Sequence, residues 1–240
     1  MSRMFQVEGK TVRTWNPIGG ECAYDCFWCW ARRLIKQKHM EKYQGEVYLV
    51  ENAFEEKFKP GEVVAVQLMS DLFSPKVPDV ILNKIMHYIS QFPETTFLFL
   101  TKNAQRYLAM QVLPLNCIFG VTIETDMDFL NPSLYAPSRF DRFYWIVLLQ
   151  RLNPEVRVFV SIEPIMAFTT AFLCWIKLIA PCFVYLGYDN YDSGLTEPDL
   201  TQTENFIEEL SNFTEVRLKS MREAKSENVY QYGKRLEDYF

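Results

Sequence analysis

The sequence predicts an α/β fold built on parallel strands, and three observations carry that expectation. Apolar runs of the kind that fill strands buried on both faces alternate with helical stretches about six times, the pattern of a parallel sheet with helices outside it. Polar or charged residues stand where those runs end, at Ser70-Asp71, Lys102, Glu124, Ser161/Glu163 and Asp189/Asn190. In a parallel barrel all such ends open on one face, where sites are built. No GxGxxG turn follows any strand, which counts against a dinucleotide fold. On these residues alone the sheet is a partial or full barrel or an open, doubly wound sheet.

Taken in order, a short first strand precedes a cysteine loop, and Trp30 to Lys42 has helix-forming content with a basic face. Glu51 to Phe58 reads as a short helix ended by Pro60-Gly61. The buried-type strands are Val63 to Met69, Thr96 to Leu100, Cys117 to Ile123, Val156 to Val160 and Cys182 to Leu186. Between them, helices are expected at Pro78 to Gln91, Asn103 to Met110, Phe140 to Leu152 and Thr169 to Ile179, with an irregular piece from Asp128 to Ser138. The tail adds a helix from Asp199 to Leu210, a strand at Val216 to Leu218 and a charged terminal helix. Residues 1–240 thus read as one domain, with a barrel core over about 11–190 and a C-terminal helical extension over 199–240.

At 240 residues, with 49% apolar and 15% aromatic content, the chain is long enough to bury one large core. A net charge of −5 argues against salt-driven attraction to nucleic acid in general, although Arg32, Arg33, Lys36 and Lys38 form a local basic stretch. That stretch reads first as a solvated helix face and second as a phosphate contact. No apolar run approaches the ~18 residues of a membrane span, and the first residues are too polar for a signal peptide. The expectation is a cytoplasmic protein, where thiols stay reduced and a dense cysteine group marks a metal site.

That group is Cys22, Cys26 and Cys29, spaced C-x3-C-x2-C beside Gly19-Gly20. Three thiolates on one loop hold three corners of a cubane [4Fe–4S] cluster and leave the fourth iron to a small molecule. The plainer alternative is a structural zinc site completed by His39 or a remote cysteine. Such sites use paired knuckles, and the chain has no second pair. Cys117, Cys174 and Cys182 lie in apolar runs without common spacing and are expected in the core. His39 and His87 read as solvated.

Cys22-x3-Cys26-x2-Cys29, with aromatic Trp28 before the last cysteine, resembles the signature of the radical SAM superfamily. Thr14-Trp15-Asn16-Pro17, Met69 to Phe73, Leu100-Thr101-Lys102, Gly120 to Glu124 and Val160 to Pro164 follow in order. Together they are similar to the phage Gp37/Gp68-like (DUF5131) family, from about Thr14 to Asn190. Trp30-Ala31 stands where that family usually has Tyr-Ala, and Gly187-Tyr188-Asp189-Asn190 where it has a Gly-Gly-Glu-Ser-like ending.

The resemblance implies a partial TIM-like (β/α)6 barrel, one [4Fe–4S] cluster on Cys22, Cys26 and Cys29, and S-adenosylmethionine as cofactor. It also implies an external flavodoxin- or ferredoxin-like electron donor, and leaves the substrate open. Trp28, Ser70, Asp71, Lys102, Glu124, Ser161 and Glu163 are the expected cofactor-binding residues. For Ser70 and Asp71 the competing role is a turn or helix cap. For Lys102 it is a solvated helix start, although a cation is disfavoured there. Glu124 and Glu163 follow apolar strands and need a partner, either a core arginine or a ligand amine or hydroxyl. Little chain is left for a lid, so a macromolecular substrate or partner chain is expected to complete the pocket. The alternative function is a non-enzymatic Fe–S or zinc sensor or partner-binding protein.

Overall fold

The computed structural model describes residues 6–7, 10–130, 135–225 and 229–230. Seven strands form one sheet: β1 (Arg13–Trp15), β2 (Val63–Val66), β3 (Thr96–Thr101), β4 (Cys117–Thr122), β5 (Arg157–Ile162), β6 (Phe183–Leu186) and β7 (Glu215–Leu218). Every neighbouring pair is parallel, and spatial order follows chain order from β1 at one edge to β7 at the other. A doubly wound sheet reverses its order partway. This one does not, so it is an open half-barrel with all C-terminal strand ends on one rim.

The helices are α1 (Trp30–Gln37), α2 (Asp79–Ile89), α3 (Gln105–Leu108), α4 (Arg139–Leu152), α5 (Ala171–Ile179) and α6 (Leu200–Ser211). The helices expected at Pro78 to Gln91, Asn103 to Met110 and Thr169 to Ile179 are present in shorter form, whereas α4 already begins at Arg139 and α6 runs one residue later than expected. α1 ends at Gln37, and the stretch at Glu51–Glu55 is a 3-10 turn. Along α2, Ile81, Leu82, Ile85, Tyr88 and Ile89 are buried, a spacing of one helix face. They join the main core with Val64, Val66, Phe97 and Phe99 from the outer face of the sheet.

The inner face carries the alternate residues Val63, Ala65, Leu98, Ile118, Phe159, Phe183 and Tyr185 as a second cluster. Phe159 stacks on Phe183 with centroids 4.8 Å apart. Its ring fills the space beside Gly120, where an added Cβ would lie 2.2 Å from it. The bottom of the half-barrel is therefore plugged, and the space above it stays open towards the strand ends.

The strand expected at Val216 to Leu218 is present as β7 and completes the main sheet, and α6 is the helix expected before it. Glu197–Pro198 pairs in parallel with Val229–Tyr230, and the expected terminal helix otherwise falls outside the described residues. Cys117 is buried as expected, but Cys174 and Cys182 are exposed. Cys174 sits on the outward side of α5, whose buried residues are Phe172, Ile176 and Ile179, and Cys182 just precedes β6. An apolar neighbourhood in sequence misled because both faces of α5 are apolar.

Candidate functional site: a cysteine loop on the rim of the half-barrel

After β1 the chain makes a two-residue antiparallel pairing, Ile18–Gly19 with Tyr48–Leu49, and turns at Gly20. Gly20 has φ +93°, and a Cβ there would lie 2.3 Å from the Glu46 carbonyl oxygen, so only glycine passes. The Gly20 N–H donates to the Lys42 carbonyl at 2.8 Å and the Glu21 N–H to that of Gly45 at 2.9 Å. These bonds fix the start of the cysteine loop. Its end is fixed by the Cys29 N–H, which donates to the Cys26 carbonyl at 3.0 Å just before α1 begins.

The loop overhangs a cavity of about 1270 Å³ on the strand-end rim. Of the residues expected at the site, Cys22, Cys26, Trp28, Cys29, Ser70, Asp71, Lys102, Ser161 and Glu163 all line it. Glu124 does not. It is completely buried beneath the wall.

Burial pushes the Cys22 thiol up to about 11, the Asp71 carboxylate and Cys29 adding to the rise, while the amides of Tyr24 and Asp71 act on its sulfur in the opposite sense. Burial likewise raises Cys29, Cys26 adds to the rise, and the amides of Arg32 and Ala31 in the first turn of α1 oppose it with Lys102. The thiols are thus near enough to feel one another, and each of these two sulfurs has backbone donors that favour a thiolate. Among the described residues no three His, Cys, Asp or Glu side chains close on a single metal ion. Three thiols on one loop are nonetheless the type of donor that iron–sulfur clusters take. Sulfur ligands, amide donors beside them and open volume beyond them are the chemistry a cubane cluster requires.

Asp71 is a strut. Its carboxylate accepts from the Phe73 N–H (2.9 Å), the Thr101 hydroxyl (2.7 Å) and the Lys102 N–H (2.8 Å), tying the end of β2 to the end of β3. Burial raises its carboxyl while those donors pull it down. The Ser70 hydroxyl accepts from Gln67 Nε2 at 2.9 Å and keeps its own proton to donate.

Glu124 meets the core arginines its depth called for. α4 opens at Ser138, whose hydroxyl accepts the Asp141 N–H at 3.0 Å, and its buried stripe runs Arg139, Arg142, Ile146, Leu149. The first two of that stripe reach the end of β4. Arg142 donates to Glu124 at 2.8 Å, Arg139 approaches it at 3.5 Å, and Lys102 donates to its other oxygen. Burial alone would raise the Glu124 carboxyl, but Lys102, Arg142 and Arg139 together hold it well below the ordinary carboxylate range.

Across the cavity, Glu163 accepts from the Ser161 hydroxyl at 3.2 Å and from Lys219, just past the end of β7, at 3.1 Å. The Arg217 guanidinium lies 3.6 Å over the Phe183 ring and engages Glu215 through two bonds of 2.8 Å. Arg32, Arg33, Lys36 and Lys38 are exposed. Arg32 pairs with Asp25, and Arg33 donates to the Ser193 hydroxyl at 2.9 Å. His39 and His87 are exposed as expected.

The sequence reading missed Tyr24, Arg139, Arg142, Arg217 and Lys219. The i, i+3 spacing of Arg139 and Arg142 with Ile146 was a signal, since it puts them on the apolar face of one helix. Arg217 lies in, and Lys219 just after, a short tail strand whose place beside β6 nothing local announces.

No protein of curated function matches the chain. Among solved structures, a spore photoproduct lyase variant superposes with a TM-score of 0.54 at 13% identity, covering 82% of this chain and 60% of that one. Spore photoproduct lyase complexed with dinucleoside spore photoproduct gives 0.54 at 10% identity, covering 85% and 76%. A variant with bound AdoMet and dinucleoside spore photoproduct gives 0.51 at 13%, covering 86% and 62%. At such identities the likeness is one of fold, and the chain spans 60% of the length of the first. No helix among the described residues is long and apolar enough to cross a membrane. The sequence model that matches is described as a protein of unknown function (DUF5131) and aligns over residues 9–177, most of the chain from before β1 into α5; the chain belongs to that family.

Proposed function

We propose that the chain is a radical SAM protein in which Cys22, Cys26 and Cys29 hold three irons of a [4Fe–4S] cluster and S-adenosylmethionine takes the fourth. One observation carries the reading: three cysteines line one wall of a 1270 Å³ cavity at the C-terminal rim of a parallel half-barrel. Ordinary ligand pockets occupy roughly 300–1,000 Å³, so a cofactor and a second ligand have room together. The AdoMet bound by one protein of like fold supports the same choice of cofactor. Held by Cys22, Cys26 and Cys29, such a cluster would supply the single electron needed for radical chemistry on S-adenosylmethionine.

The chain's own residues bind and orient. Lys102, held by Glu124, offers a fixed positive charge to the methionine carboxylate. Ser70 offers a hydroxyl, and Asp71 keeps the ends of β2 and β3 in register beneath it. Ser161 and Glu163 face the amine or ribose hydroxyls, and Trp28 walls the loop side. Glu124 acts from below the wall as the counter-ion of Lys102, not as a contact. An external flavodoxin- or ferredoxin-like donor supplies the electron, the compartment is the cytoplasm, and a macromolecular substrate or partner chain covers the open rim.

The test is anaerobic reconstitution with iron and sulfide, then electron paramagnetic resonance with and without S-adenosylmethionine. A cluster signal that shifts on addition, with 5′-deoxyadenosine formed, is the expected outcome. Iron that is not retained, or a signal indifferent to S-adenosylmethionine, overturns the reading in favour of a structural or sensing metal.

A further inference from the structure

Behind the wall of the main cavity a smaller one, of about 250 Å³, opens between the start of α3 and the start of α4. Lys102, Asn103, Gln105, Asp141, Arg142 and Trp145 line it, and of these only Lys102 also borders the main cavity. Gln105 and Asp141 are exposed and mark its mouth. Arg142, by contrast, is 1% exposed.

That buried guanidinium is not fully engaged. Its Nε donates to the Pro137 carbonyl at 2.8 Å, and its Nη1 donates to Glu124 at 2.8 Å and to the Thr122 carbonyl at 3.3 Å. Nη2 makes no hydrogen bond or ion pair among the described residues, and it is not sealed from solvent. The same holds for the indole N–H of Trp145. Buried donors are paired as a rule, so two without acceptors on the wall of one small cavity call for a ligand that brings oxygens.

Charge points the same way. Lys102 and Arg142, the cations on this wall, share the single carboxylate of Glu124, which Arg139 also approaches. One carboxylate cannot neutralise two cations, and uncompensated charge inside a protein is costly. Asp141 is the acid on the wall, but it is exposed and already accepts from the Ser138 hydroxyl at 2.8 Å. The volume falls below the roughly 300–1,000 Å³ of ordinary ligand pockets, so the ligand has few atoms.

We infer that this cavity binds a phosphate group, free or carried by a small monoester, with Arg142 Nη2 and Trp145 Nε1 donating to its oxygens. Guanidinium groups suit such oxyanions, since their N–H bonds are charge-assisted and fixed in one plane. The site is separate from the sulfur-lined cavity and does not rest on the cluster reading.

The test is titration calorimetry of the metal-free full chain with inorganic phosphate, against chloride at matched ionic strength. Phosphate should bind at one site per chain and raise the melting temperature, as a ligand of the folded state does. Gln105→Glu adds a carboxylate at the mouth and should weaken phosphate binding about two- to fivefold, the worth of one exposed charge pair. Asp141→Asn keeps the oxygen that Ser138 donates to, removes the charge, and should strengthen binding by a similar factor. Both substitutions lie on the surface and leave Arg142 and Glu124 in place. Trp145→Phe, which removes the indole N–H, should also weaken binding. Glycerol phosphate bound more tightly than inorganic phosphate would support the site and assign it to an ester; the reverse would support it and assign it to the free ion. Chloride that reproduces the effect of phosphate overturns the proposal. So do equal phosphate affinities in Gln105→Glu, Asp141→Asn and wild type, which would place the anion in the main cavity instead.

Discussion

The fully buried carboxylate of Glu124 is the counter-ion of Lys102, whose side chain is 14% exposed on the cavity wall. One partner lies inside the protein and the other looks onto the ligand space. Arg139 and Arg142 close on the same carboxylate from behind. The arrangement turns a long, mobile side chain into a charge of fixed position at the end of β3.

Glu124→Gln keeps the shape of that group and leaves three cations without their shared anion. Breaking a buried pair from one side costs about 3–5 kcal/mol, so urea unfolding should show a loss of that size. The sign of the pH dependence follows from the lowered Glu124 carboxyl. A depressed carboxyl contributes stability that is complete above its ordinary value of 4.5 and is lost as pH falls below it towards the folded value. Wild type should therefore weaken progressively in acid from that point, and Glu124→Gln should show a flatter acid limb. An unchanged acid limb would assign the titration to other groups.

The rim was legible in the sequence because a parallel strand announces itself twice, by an apolar run and by the polar residue that ends it. Asp71, Lys102 and Glu163 were found that way, and all three line the cavity. What lies behind the rim was not legible. Arg139 and Arg142 sit on a helix, where charge ordinarily means solvent, and only the docking of α4 against β4 turns them inward. Lys219 reaches Glu163 only because β7 joins the sheet beside β6, a pairing between segments about 30 residues apart that no local pattern encodes. Strand ends are local facts, whereas the partners of buried charges are tertiary ones.

Replacing any one of Cys22, Cys26 or Cys29 by Ala should abolish full iron loading and leave the metal-free fold intact. The two ends of the loop are held by backbone bonds at Gly20, Glu21 and Cys29, to which the sulfurs of Cys22 and Cys29 add contacts with nearby amides. Because Cys26 is buried with Tyr24 and Trp28 and the other two cysteines pack against them, the metal-free variants should lose about 0.5–3 kcal/mol, the ordinary cost of a single substitution, without unfolding. A structural zinc site would behave otherwise, since its metal is part of the folding energy. Global unfolding of the metal-free protein, measured by circular dichroism, would favour that alternative.

Gly120 is where the inner wall of the half-barrel has no room. Its neighbour Phe159 occupies the place a Cβ would take, and the ring is pinned between Phe183 and Tyr185. Gly120→Ala should destabilise by about 1–3 kcal/mol through overpacking. Gly120→Ala combined with Phe159→Leu should recover part of the loss. No recovery in the double variant would mean that the backbone at Gly120, and not the ring, sets the limit.

Lys219 follows directly after β7, past the residues that the family model matches, yet its ammonium reaches Glu163 on the cavity wall. Burial lowers the Lys219 ammonium and Glu163 opposes that shift, so each charge makes the other tolerable there. Lys219→Met keeps the length and removes the donor, leaving Ser161 as the partner that holds Glu163. Hydrogen bonds to charged groups contribute about 1.5–3 kcal/mol, so affinity for S-adenosylmethionine should fall by roughly tenfold or more if Glu163 binds it. Titration calorimetry on reconstituted protein reads that change directly, and Lys219→Arg should restore most of it. Equal affinity in Lys219→Met and wild type would show that Glu163 faces the second ligand of the cavity instead, and the same pair of variants would then serve to find it.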